Sequence, residues 1–126
     1  MTSGELELPR DLRNRTKDLA LRVVRMYSAL PKTAEAQVLG KQVLRSGTSV
    51  GAHYREATRA RSTNEFISKV EVGIAELDET GYWVELITEA GIVPRARVED
   101  LLDAINQLMS VLVTCVKNAK KRRSDG

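Results

Sequence analysis

Few residues of this 126-residue chain have the chemistry to build a site. His53 is the only histidine and Cys115 the only cysteine. A metal centre in a helical protein needs several converging ligands, and di-iron bundles take a Glu-x-x-His pair from each of two helices. His53, Glu56, Glu76 and Glu79 come nearest to such a set, but the chain has no Glu-x-x-His pair. Cys115 stands among Val111, Leu112 and Val116 and reads as a small core side chain rather than a nucleophile. Gly40, Gly47 and Gly51 match neither dinucleotide-binding nor P-loop spacing. No Ser/His/Asp order and no paired catalytic carboxylates stand out. The expectation is a protein with no active site, metal, cofactor or small-molecule substrate.

A polar set at helical spacing remains. Arg45 and Ser49 are four residues apart, and Glu56 follows Ser49 by two turns. Glu76, Glu79 and Trp83 fall at i, i+3 and i+7, one stripe of a helix. If the two segments are antiparallel helices joined at Arg59 to Arg61, residues equally far from that turn meet. Arg45 then lies level with about Leu77, within reach of Glu76 or Glu79, and Glu56 lies level with about Phe66. The expected structural network is Arg45, Ser49, His53, Glu56, Glu76, Glu79 and Trp83. A partly buried ion pair of this kind fixes register and strands a charge when one partner is lost. Solvated charges are the plainer alternative, above all for Glu76.

Four helices position these residues. The first is expected from Pro9, a residue tolerated in an opening helical turn, with Thr16, Leu19, Val23, Met26 and Leu30 on one face. Pro31 ends it. Thr33 is placed to cap a second helix running to about Ala60, with Leu39, Val43, Gly47 or Ser46, Val50, Tyr54 and Ala57 facing inward. Three interior glycines in that helix each cost about 1 kcal/mol against alanine, so close approach of a neighbour is expected there. A break near Gly47-Thr48-Ser49 is the competing reading. Ser62 with Glu65 forms a capping box ahead of Phe66 and Ile67. It opens a third helix that ends at Gly91, a glycine placed to take the left-handed turn. From Pro94, the run Val98, Leu102, Ile105, Met109, Leu112, Val116 and Ala119 keeps a heptad seam, which Leu101, Leu108 and Val113 widen.

Short connections make an all-α, antiparallel up-down-up-down four-helix bundle the simplest solution. Residues 1–8 read as a flexible lead, 9–119 as the bundle and 120–126 as a basic disordered tail. No apolar run approaches the roughly 20 residues of a membrane span, and the first nine residues do not form a secretory signal. With a single cysteine, a reducing, cytoplasmic setting is expected.

The net charge is +3, unevenly spread. Residues 10–61 carry twelve Lys or Arg against four Asp or Glu, and residues 62–93 carry one against seven. Five more cations fall between Lys117 and Arg123. This basicity would attract nucleic acid through phosphate contacts from Arg13, Arg15, Lys17, Arg22, Arg25, Lys120, Lys121, Arg122 and Arg123. The alternative is that the basic helices pair with the acidic one, inside the fold or across subunits. With no aromatic stacking platform and no reader motif, any binding to RNA or DNA would be backbone-directed.

The run from Arg45 to Ala57, Arg-Ser-Gly-Thr-Ser-Val-Gly-Ala-His-Tyr-Arg-Glu-Ala, resembles the signature of bacterial four-helix-bundle proteins named after intervening sequences of 23S rRNA genes. Ser62, Glu65-Phe66, Lys69, Glu76, Glu79-Thr80 and Tyr82-Trp83 continue the match, strongest over residues 31–93. His53 departs from it, since the family more often has Asn there. The resemblance implies a homopentameric ring without enzymatic activity. It also points to the accessory proteins of diversity-generating retroelements, which form pentameric barrels and bind nucleic acid and a reverse transcriptase through basic surface. A ring would bury the surplus apolar surface of the fourth helix.

Overall fold

The computed structural model describes the backbone of residues 3–125 and the side chains of residues 11–124. Four helices follow one another: α1 (Ser3–Ala29), α2 (Ala34–Thr58), α3 (Thr63–Glu89) and α4 (Arg95–Asp125). Each packs on its neighbours in sequence, and α1 meets α4 to close the bundle most loosely. The backbones of the diagonal pairs, α1 with α3 and α2 with α4, do not approach closely among the described residues.

Sequence-coded caps fix the helix ends. The Thr33 hydroxyl accepts from the Ala36 amide at 3.4 Å, and Glu35 sits in the first turn of α2, at the positive end of its dipole. The Ser62 hydroxyl accepts from the Glu65 amide at 3.1 Å, while the Glu65 carboxylate reaches back to the Arg61 amide at 3.2 Å. At the end of α3 the Gly91 amide donates to the Thr88 carbonyl and the Ile92 amide to that of Ile87. Gly91 adopts φ +76°, the left-handed conformation this Schellman closure requires.

α2 continues unbroken through Gly47-Thr48-Ser49. The hydroxyls of Ser46, Thr48 and Ser49 donate to the carbonyls of Gln42, Leu44 and Arg45, four residues back, so they satisfy themselves without opening the helix. Its glycines admit α1. A Cβ built on Gly47 would stand 2.8 Å and 2.9 Å from the two Val23 methyls, and Gly40 lies equally close under Leu30 and Tyr27.

The core follows the predicted faces: Leu19, Val23, Val43, Val50, Leu77, Val84, Ile105 and Leu112 are buried, as is Leu12. Three expectations change. α1 is already helical from Ser3, six residues ahead of Pro9, across most of the segment read as a loose lead. α4 carries on through Lys120, Lys121, Arg122 and Arg123, read as a disordered tail. Lys and Arg are good helix formers, and cations are favourable at a helix C-terminus. The surplus on the fourth helix is also largely used inside the chain. Leu101 and Leu108 are buried, because α4 must cover both α3 and α1. The large apolar residues left in water lie elsewhere: Leu21 and Val24 on α1, Val38 on α2, and Val72 and Tyr82 on α3.

Candidate functional site

The polar residues of α2 and α3 meet along the seam between the helices. Arg45 reaches both predicted carboxylates, with Nη1 3.1 Å from Glu76 Oε2 and Nη2 2.6 Å from Glu79 Oε1. The Trp83 indole N–H donates to the same Glu79 oxygen at 3.1 Å, and Arg45 Nε donates to Gln42 Oε1 at 3.4 Å. Trp83 in turn packs edge-on against Tyr82, ring centres 5.0 Å apart. The indole hydrogen bond, then Arg45, hold the Glu79 carboxyl below the usual carboxylate range. Glu79 in turn raises Arg45, which stays charged.

A second cluster sits nearer the α2–α3 turn. Lys69 Nζ lies 3.0 Å from Glu56 Oε2 and is the main cause of that carboxyl's lowered pKa. His53 Nδ1 stands 3.7 Å from the same oxygen, too far for a hydrogen bond, and is buried without a partner among the described residues. Between the clusters, in the core, the Thr80 hydroxyl donates to Ser46 Oγ at 2.8 Å, and Ser46 donates to the Gln42 carbonyl at 2.9 Å.

The seven predicted residues therefore form two groups rather than one. Arg45, Glu76, Glu79 and Trp83 share one, and His53 with Glu56 belong to the other. The Ser49 hydroxyl turns back to the Arg45 carbonyl and joins neither through its side chain. The Arg45 side chain is half exposed and that of Glu76 only 19%, so the pair straddles the surface. Such a pair contributes mainly geometry. Gln42, Lys69 and the Ser46–Thr80 contact were not foreseen as members. The register was misplaced by about three residues, since Glu56 meets Lys69 rather than lying level with Phe66.

The nine basic candidates do not share one surface. Arg15 pairs with Asp11 at 3.6 Å and Arg22 with Asp18 at 3.1 Å. Lys120 pairs with Glu71 at 3.6 Å, and Arg123 donates to Asn64 Oδ1 at 2.9 Å. Arg13, Lys17, Arg25, Lys121 and Arg122 have no ion pair among the described residues. Arg22 also reaches the Asp100 carbonyl at 3.4 Å, early in α4. That contact is about 30 Å along the helix from Lys120. Two shallow grooves of about 340 and 370 Å³ run between α1 and α4, with Arg22 and Arg25 on their walls. Cys115 is half-buried, and desolvation pushes its thiol pKa up, away from nucleophile chemistry. No group of three or more His, Cys, Asp or Glu able to hold a metal occurs among the described residues. Nor, among them, is any helix long and apolar enough to cross a membrane.

The family description "23S rRNA-intervening sequence protein" matches residues 10–114, a span that includes both clusters and most of the bundle. The chain belongs to the 23S rRNA-intervening sequence protein family. A similar solved structure comes from Bacteroides thetaiotaomicron and is described as a protein with unknown function from the S23 ribosomal protein family. It shares 32% identity, covering 87% of this chain and 98% of its own, with a TM-score of 0.82. No curated protein matches the chain. The solved relative supports the four-helix fold, and neither name indicates an enzyme.

Proposed function

We propose that this protein is a non-enzymatic scaffold, the subunit of a homopentameric ring that holds a partner in the cytoplasm. The carrying observation is the placement of its large apolar side chains. Leu21, Val24, Val72 and Tyr82 are each more than 40% exposed, on the outer stripes of α1 and α3. Apolar stripes of this kind mark protein contacts. The charged side chains of Arg45, Glu76, Glu79, Glu56 and Lys69, by contrast, pair with one another along the α2–α3 seam. The number five comes from the family resemblance. Light scattering of the purified protein tests the reading: a mass of five times 14.0 kDa is expected, and a stable single-chain mass overturns it.

One observation favours nucleic-acid binding as a second reading. The Arg123–Asn64 contact brings the basic end of α4 beside the α2–α3 turn, which carries Arg59 and Arg61. Antiparallel packing brings Arg13 and Arg15 to the same end. Binding through this end would weaken steeply with salt, at about one log unit of slope for each phosphate neutralised. Salt-independent binding, or none, leaves the scaffold reading alone.

A further inference from the structure

We infer that the contact between ring subunits is heterologous, the outer face of α1 on one copy docking against the outer face of α3, and the groove beside it, on the next. This rests on the self-assembly reading and names the surfaces that carry it.

The two faces differ in charge and look away from each other. On α1, Lys17, Leu21, Val24 and Arg25 follow at i, i+4, i+7 and i+8, one water-facing stripe. On α3 the outward stripe holds Val72, Ala75, Asp78 and Tyr82, with Glu85 on its flank. α1 and α3 are diagonal in the bundle, and no ion pair joins the basic helix to the acidic one among the described residues. Among the described residues, cations of α1 form ion pairs only with Asp11 and Asp18 of α1 itself. Lys17, Arg25, Asp78 and Glu85 have no ion pair among the described residues. The α1 stripe thus presents unpaired cations, and the α3 stripe unpaired carboxylates, around exposed apolar side chains.

The acidic side also has a place to receive the apolar ones. A shallow groove of about 630 Å³ lies between α3 and α4, lined by Ile74, Ala75, Val113 and Val116, with Asp78 on its α3 side and Lys117 and the Glu71-paired Lys120 also lining it. Leu21 and Val24 of a neighbour would enter it, with Lys17 and Arg25 flanking Asp78 and Glu85. Two different patches meeting head to tail generate a ring when the rotation closes. A contact between identical faces would instead bring like charges together.

Charge reversal tests the inference, with mass read by light scattering and helicity by circular dichroism. Lys17→Glu with Arg25→Glu, and separately Asp78→Lys with Glu85→Lys, should each give a folded single-chain species. Combining all four substitutions restores complementarity and should restore the wild-type mass. Leu21→Ser with Val24→Ser, which changes no charge, should also give a folded single-chain species. Wild-type mass in both charge-reversed pairs overturns this inference and leaves the ring intact. So does a folded four-fold variant that stays a single chain. A wild-type protein that is itself a single chain overturns the ring, and this inference with it.

Discussion

The two seams of α1 are built differently. Against α2, glycines let the helices close until Val23 rests on the Gly47 backbone. Against α4 the side chains are long, and Arg22 spans open grooves rather than filling them. The same helix is thus sealed on one flank and parted on the other, and the difference is set by the size of the facing residues. A seam closed to van der Waals contact has no slack, so changes of one methyl are felt. A seam open to water can relax around a lost side chain.

The sharpest test compares truncations. Leu77→Ala, in the closed core of α3, should cost about 4 kcal/mol, towards the upper end of such losses. Leu108→Ala borders an α1–α4 groove that can collapse or fill, and should cost about 2 kcal/mol. Equal losses in urea unfolding would show that the parted seam is as rigid as the closed core. A smaller effect is expected from Gly47→Ala. Overpacking against the stiff, β-branched Val23 costs about 1–3 kcal/mol, while alanine returns about 1 kcal/mol of helix propensity. A net loss of about 1 kcal/mol, or about 4 °C in Tm, is expected. A rise in Tm would mean that α1 yields on its tight side.

The smallest expected effect concerns acid. The Glu79 carboxyl is lowered in the folded protein, so just below its ordinary value the unfolded chain binds the extra proton. Its contribution is complete above the ordinary carboxylate range and drains away as pH falls through the lowered folded value. Glu56, lowered chiefly by Lys69, acts with the same sign. Tm should therefore fall on acidification from about pH 6 to about pH 3, and Glu79→Gln should make that limb shallower. Parallel limbs for wild type and variant would show that the Arg45 cluster does not couple to folding.

The bundle was legible where local rules suffice. Thr33, Ser62-x-x-Glu65 and Gly91 each declare a helix end, and apolar spacing identified the buried faces of all four helices. Arg45 was legible too, because counting from a turn gives register in an antiparallel pair. Lys69 was not foreseen as Glu56's partner, because an error of three residues in that count keeps the helix face but moves the facing residue by about 4.5 Å along the axis. The burial of Leu101 and Leu108 was also missed. A heptad seam describes contact with one partner, and α4 covers two. Nothing local distinguishes a surplus meant for a second helix from one meant for another subunit.

The restriction of contacts to consecutive helices, with α1 to α4 the one distant closure, has a kinetic consequence. Nearly every stabilising contact is available once a single hairpin has formed, so little loop entropy is lost before packing repays it. Such a chain belongs with fast-folding, low-contact-order bundles. In the native state the α1–α4 closure should open first, since among the described residues it is the helix pair that joins the two ends of the sequence and the one least filled.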